Sequence, residues 1–278
     1  MKNKILLNIP LALLLASPLS YALPRCPEKI DLAYYEFGLL FHDGKGIDKS
    51  IVDELARRSH CTFQTSVRPR AKIWQSIQDG TLMMSVSGIQ TPERDQFAYF
   101  SVPYVNTKNM VVLSPAIAEK HSTFADFLAN PALRFGAVKS FKHGEKQDQI
   151  LDQLRTLNRV DEAQDSRQLL EWLRDGKIQG AFSEATSYTV YFRELKFKIR
   201  PAIRDWAPED RGVPAGLIFS KRHFNEQDVA EWDLLLQAIR QDGTLARILG
   251  AYLPEFEIPR AMAVPRTADQ GNSKKTAK

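Results

Sequence analysis

Within TPERDQFAYFSVPY, residues 91–104, a turn-forming Thr91-Pro92 pair precedes the charged cluster Glu93-Arg94-Asp95 and then Phe97, Tyr99, Phe100 and Tyr104. Arg94 is the group with chemistry to offer. Its planar guanidinium presents a fork of donors that binds a carboxylate through two parallel bonds, which a lysine does poorly. The alternative is a surface arginine paired to Glu93 or Asp95. The four aromatics suit packing of the following strand better than stacking on a ligand. No catalytic signature accompanies them. His42, His60, His121, His143 and His223 are dispersed, with no H-x-x-H pair for zinc. GKG at 44–46 lacks the glycine spacing and the Ser/Thr of a phosphate loop, and SVSG at 85–88 is not G-x-S-x-G. The residues themselves imply no catalysis, no metal and no cofactor.

The two ends of the chain distort its composition. Residues 1–22 carry Lys2 and Lys4, an apolar run ILLNIPLALLLA and small residues at Ser20 and Ala22, the layout of a cleaved secretory signal. That run is too short, and too interrupted by Asn8 and Pro10, for a permanent membrane span of roughly 20 residues. Residues 257–278 form a polar tail without apolar periodicity, expected to be disordered. Of the formal charge of +5, the leader holds two and residues 260–278 a net four, which leaves the body at −1. Nucleic-acid binding, which a pI of 9.1 would invite, is therefore not expected: the basic residues lie outside the folded part. Cys26 and Cys61 are the only cysteines, and in an exported chain they point to one disulfide, with two buried thiols as the alternative.

The elements that must position Arg94 follow from periodicity. KIDLAYY (29–35) alternates as a strand, and DKSIVDELARRS carries Ile51, Val52, Leu55 and Ala56 on one helical stripe. TFQTSV (62–67) is β-rich, Pro69 opens a helix that Gly80 stops, and TLMMSVSG is a buried strand. This β-α-β-α-β order predicts a parallel sheet with crossover helices. A second cycle starts near Thr123, a helix cap, and runs through a strand at 133–138, a helix in HGEKQDQILDQLRTL, a helix at 167–176 and a strand at 177–184. SIQDGTLMMSVSG and WLRDGKIQGAFSE share a pattern of helix, glycine and short apolar strand, which implies two similar lobes. AGLIFSK (215–221) and the helices of 225–253 bring the chain back. NMVVLS (109–114) and AGLIFS (215–220) suggest themselves as paired connecting strands.

An exported chain with SGIQTPERDQFAYFSVPYV and then AIRQDGTLARILGAYLPE resembles the periplasmic solute-binding proteins of the amino-acid-type family, family 3, the partners of ABC importers. The likeness covers nearly all of residues 28–254. It implies an α/β fold of the two-lobed periplasmic-binding-protein type (type II), each lobe a mostly parallel sheet flanked by helices, joined by two hinge strands. The boundaries expected are 1–22 for the signal, 23–113 and 215–256 for lobe 1 and 114–214 for lobe 2. The resemblance implies that Arg94 holds the carboxylate of a captured solute, at the C-terminal strand end near Ser87 and Gly88 where open sheets place their crevice. It puts Glu184, in GKIQGAFSEA, where the family has an acid for the ligand's ammonium; a solvated turn residue is the alternative. An aromatic from Tyr34, Tyr35 and Phe37 would lie over the ligand. Lys139 or Lys142, with the helix start near Ser140, would hold an anion.

Departures from the pattern leave the solute open. Ile89 stands where the family has a Thr or Ser, Met83 and Gln179 replace two aspartates, and the second-lobe loop is KSFKHGE. Trp74 suits the core and Arg70 a solvated site. The implied function is periplasmic capture of a small carboxylate-bearing solute by hinge closure, as a monomer, with delivery to an ABC permease in the inner membrane. Alternatives on the same fold are a binding protein feeding a membrane sensor and a periplasmic enzyme similar to cyclohexadienyl dehydratase.

Overall fold

A computed structural model describes residues 23–263. The expected signal at 1–22 and residues 264–278 of the expected tail lie outside these described residues. Strands β1 (Ile30–Tyr34), β2 (Phe63–Val67) and β3 (Met84–Gly88) run parallel, joined by helices α1 (Ile47–Ser59) and α2 (Arg70–Asp79). Helix α1 forms where the sequence placed its stripe, because Ile47, Ile51, Val52 and Leu55 face the sheet. Helix α2 starts directly after Pro69 and ends at Gly80, whose φ of 82° a glycine adopts without Cβ strain. The chain continues through β4 (Ala98–Phe100), β5 (Val105–Thr107) and β6 (Asn109–Leu113).

The second lobe holds α3 (Phe124–Ala129), β7 (Phe135–Val138), α4 (Glu145–Thr156), β8 (Val160–Ala163), α5 (Ser166–Arg174), β9 (Gly180–Glu184), α6 (Ala185–Glu194) and β10 (Ala202–Arg204). Thr123 caps α3 as expected, in a reciprocal box with Asp126. The chain returns through β11 (Val213–Ser220), then α7 (Glu226–Gln241), α8 (Thr244–Gly250) and α9 (Ile258–Ala261). The first sheet has the order β2-β1-β3-β11-β4, with β5 also on β11; the second has the order β10-β6-β9-β7-β8.

The expected α/β fold in two lobes is present, with two refinements. Each sheet is mixed: three parallel strands are extended by antiparallel ones, β11, β4 and β5 in one lobe and β6 and β10 in the other. The hinge also lies elsewhere. Residues 109–113 form β6, inside the second sheet between β9 and β10, so they do not connect the lobes. The connectors pair where β5 meets the start of β11, Thr107 against Val213 and Val105 against Ala215. Lys108 and Asp205 close an ion pair of 2.6 Å just beyond. Lobe 2 thus begins at about residue 109, not 114. The expected disorder from residue 257 is corrected as well: α9 continues the fold, Ala261 is buried, and Arg240 Nη1 donates to the carbonyl of Met262.

Cys26 and Cys61 are bonded, with Cα atoms 5.4 Å apart across a separation of 35 residues. A loop of that length stabilises the fold by about 3–4 kcal/mol on chain-entropy grounds. Within the described residues no helix is long and apolar enough to cross a membrane.

Candidate functional site

Strand β3 ends at Gly88, and the chain after it turns into a short 3-10 helix, Arg94–Gln96, that begins with Arg94. The side chain is 9% exposed. Its Nη1 donates to the carbonyl of Ile89 at 2.7 Å, within its own lobe, and its Nη2 to the carbonyl of Ser140 at 2.9 Å, on the other lobe. The guanidinium lies 3.9 Å above the Trp74 ring. Burial first, and then the charge of Arg70, pull its pKa down to about 9, so it remains a cation at neutral pH.

Arg70, expected in solvent, is 4% exposed. Its guanidinium lies over the rings of Tyr35 (4.3 Å) and Trp74 (4.6 Å) and donates to the carbonyls of Val86 (3.1 Å) and Ser87 (2.8 Å). Both carbonyls belong to the last residues of strand β3, so Arg70 ties the start of helix α2 to that strand. Ser87, at φ 47°, turns its hydroxyl onto Asp48 at 2.8 Å, and the Tyr104 hydroxyl donates to the same carboxylate at 2.6 Å. Burial pushes Asp48 up to about 6, against those two hydrogen bonds and the charge of Arg70. Asp48 thus offsets Arg70 through Ser87, whereas Arg94 has no carboxylate bonded to it among the described residues.

Glu184 faces this pair from the other lobe. It ends β9, is 4% exposed, and accepts from the hydroxyl of Thr186 at 3.2 Å. Burial raises it to about 7, opposed by the hydroxyls of Thr107 and Thr186 and assisted by the charge of Asp48. Arg94, Arg70 and Glu184 line one narrow, partly open cavity of about 20 Å³ between the lobes, together with Tyr35, Ser87 and Phe141. That volume holds about one water. The space beside these charged groups is therefore too small in this form for a solute of amino-acid size. A second cavity of about 160 Å³ adjoins it at the cleft mouth, sharing Tyr35, Arg70 and Phe141.

The structure brings Arg94, Glu184, Ser87, Ser140 and Tyr35 to this cavity, with Phe37 and Lys142. Four expectations change. Tyr34 stacks on Phe41 in the lobe 1 core, centroids 4.4 Å apart, and lines no part of the cleft. Gly88 is a packing glycine: a Cβ there would lie 2.3 Å from Ile218. Lys139 is exposed and off the cavity, its amide tied to Ala163, and Lys142 lines the wall instead. Ser140 contributes its carbonyl at φ 68°, not a helix start, because α4 begins only at Glu145. Asp48, Arg70, Thr107, Thr186 and Phe141 were missed. The aromatic in KSFKH and the arginines flanking Pro69 were the available signals.

The lobes also meet beside the cavity. Leu39 N donates to the Thr186 carbonyl across the cleft at 2.7 Å, next to Gly38 at φ 57°. His42 lies between Glu36 of its own lobe (Nδ1, 2.9 Å) and Glu194 of α6 (Nε2, 2.7 Å), with Asp43 at 3.6 Å and Arg167 on the far oxygen of Glu194. Burial lowers the His42 pKa, but the hydrogen bonds to Glu36 and Glu194 outweigh it, and the net shift is upward. A raised histidine stabilises the closed form fully below its ordinary pKa of about 6.5, and that contribution disappears as pH rises through the raised value. His42→Gln is therefore expected to flatten the fall in melting temperature between mildly acidic and mildly alkaline pH. Parallel pH profiles of the two proteins would refute it.

The model of the bacterial extracellular solute-binding proteins, family 3, matches residues 30–255. Curated protein sequences contain no significant match. Among solved structures, the chain is similar to the arginine-, lysine-, histidine-binding protein ArtJ from Geobacillus stearothermophilus. The TM-score is 0.68 at 17% identity, over 82% of this chain and 98% of that one. It is similar to an ancestral amino acid-binding protein that is a precursor of cyclohexadienyl dehydratase, with a TM-score of 0.65 at 16% identity over 82% and 96%. A histidine kinase sensor domain with similarity to periplasmic binding proteins superposes with a TM-score of 0.65 at 11% identity over 81% and 96%.

Proposed function

The chain belongs to family 3 of the bacterial extracellular solute-binding proteins, and from that premise we propose that it captures a small carboxylate-bearing solute between its lobes and passes it, as a monomer, to an ABC importer. One observation carries this reading: a buried guanidinium from one lobe, Arg94, and a buried carboxyl from the other, Glu184, line the same cavity between the lobes. Arg94 receives the carboxylate bidentately. Glu184 receives a donor on the same solute, an ammonium in an amino acid. Groups in opposite lobes that both bind the ligand make it favour the closed state, and this difference in affinity drives closure. The similarity to amino-acid-binding proteins supports the same class of solute. The sensor domain and the dehydratase precursor share the fold, so delivery to an importer rests on function at the membrane and not on architecture.

The test is a thermal-shift screen of the mature protein against amino acids and organic acids, followed by calorimetry on any hit. Stoichiometric binding without product supports a carrier, and turnover would replace it with an enzyme. The pH dependence has a definite sign. An acid raised to about 7 is charged only above that pH, so affinity for an ammonium-bearing ligand rises as pH increases through 7. Glu184→Gln should lose that slope. A slope retained in Glu184→Gln would remove Glu184 from ligand recognition.

A further inference from the structure

Resting on that reading of the cleft, we propose that the solute is an aromatic acid: a carboxylate with a planar ring a few bonds away. The loop after β7 shows what the cleft accepts. Its Ser140 carbonyl oxygen takes a hydrogen bond from Arg94 at 2.9 Å, and the next residue, Phe141, places its ring edge-on against two aromatics of the opposite lobe. Its centroid is 5.7 Å from Tyr35 at 88° and 5.1 Å from Phe37 at 86°. Tyr35 and Phe37 are themselves stacked, 5.4 Å apart at 22°. An sp² oxygen on Arg94 and an aryl ring on the Tyr35–Phe37 pair are thus satisfied by adjacent residues of one loop. A small molecule carrying both groups at that spacing can reproduce both contacts.

The other walls have the same preference. The guanidinium of Arg70 lies over the Tyr35 ring, 4.3 Å from its centroid, and an aromatic face of this kind favours a planar partner over a branched aliphatic one. Leu40 and Ile89 complete an apolar side of the cavity. When the lobes part, the gap that opens is bounded by Phe141 on one side and by Tyr35 and Phe37 on the other. The adjoining cavity, which shares Tyr35, Arg70 and Phe141, gives the ring room to extend outward. A cationic side chain would instead meet Arg70 and Arg94 in a desolvated site, where like charges repel strongly. A ring without charge meets no such penalty.

Calorimetry with matched acids tests this: L-phenylalanine against L-alanine, 3-phenyllactate against lactate, and L-glutamate and L-arginine as polar probes. The ring-bearing member of each pair is expected to bind at least about tenfold tighter than its ring-less counterpart and tighter than either polar probe. Phe141→Leu, which keeps apolar bulk and removes the flat face, should weaken the ring-bearing acids about fivefold more than the ring-less ones. Arginine, glutamate or alanine binding as tightly as the ring-bearing acids would overturn the inference while leaving carboxylate capture standing. Equal losses for both classes in Phe141→Leu would overturn it too. If none of these carboxylates bound, both this inference and the reading it rests on would fail.

Discussion

Arg94→Ala is expected to abolish high-affinity capture, with a loss of about a thousandfold, roughly 4 kcal/mol. The magnitude follows from where the guanidinium sits. It is nine-tenths buried, laid on Trp74, and bonded to two backbone carbonyls, with no carboxylate of the protein taking its charge among the described residues. A ligand carboxylate closed into that site without it would be buried and unpaired, and a lost partner to a buried charge is costlier than a lost surface contact. Arg94→Lys keeps the charge but not the planar fork, so its affinity should fall between the two. The fold itself should tolerate the change, because removing a cation beside Arg70 relieves repulsion as it removes two hydrogen bonds. Calorimetry and melting curves on the three proteins decide the matter: unchanged affinity in Arg94→Ala would end the proposed clamp.

How far the sequence foretold this site depends on whether burial came from local pattern or from distant segments. The stripe Ile51, Val52, Leu55, the strand MSVSG and the caps at Thr123 and Pro69 are local, and each lies where periodicity placed it. Arg94 and Glu184 came from the resemblance to family 3, which implies a carboxylate-holding arginine and an acid at these two positions, each close to a strand end at the rim of a sheet crevice. Arg70 was not foreseen there, because its burial depends on Tyr35, from the end of β1, as much as on Trp74 one helical turn away. Strand alternation puts Tyr34 and Tyr35 on opposite faces, but does not say which face meets the core and which the cleft. Helix α6, with ATSYTVYFRE, is rich in β-branched and aromatic residues of weak helix propensity, so nothing local announced it. Strands β8 and β10 are four and three residues long, too short for a period to register. The hinge was misplaced for a related reason. NMVVL is apolar as a connector might be, yet it is apolar because it sits inside the second sheet, flanked by β9 and β10.

Closure itself depends on a residue with no side chain. Gly38 has φ 57°, and a Cβ built on it would lie 2.1 Å from the Thr186 carbonyl oxygen and 2.6 Å from the Cα of Ser187, backbone atoms of the opposite lobe. Real Cβ atoms do not approach so closely, and backbone cannot swing aside as a long side chain can. Gly38→Ala therefore has two separable effects. The left-handed conformation costs about 1 kcal/mol for any L-residue, independently of any contact with the other lobe. The clash exists only when the lobes are closed, where it also forces apart the Leu39–Thr186 hydrogen bond and draws His42 away from Glu194. A ligand that gains its affinity by favouring the closed state then binds a protein whose closed state has been raised, and the deficit appears in full in the measured affinity. The expected result is a loss of about a hundredfold, roughly 2.8 kcal/mol, with a melting temperature lowered only slightly in the absence of ligand. Solution scattering separates this from a direct effect on recognition, because Gly38→Ala should stay expanded at ligand concentrations that compact the parent protein. Compaction and affinity equal to the parent's would show that the lobes do not close through this contact.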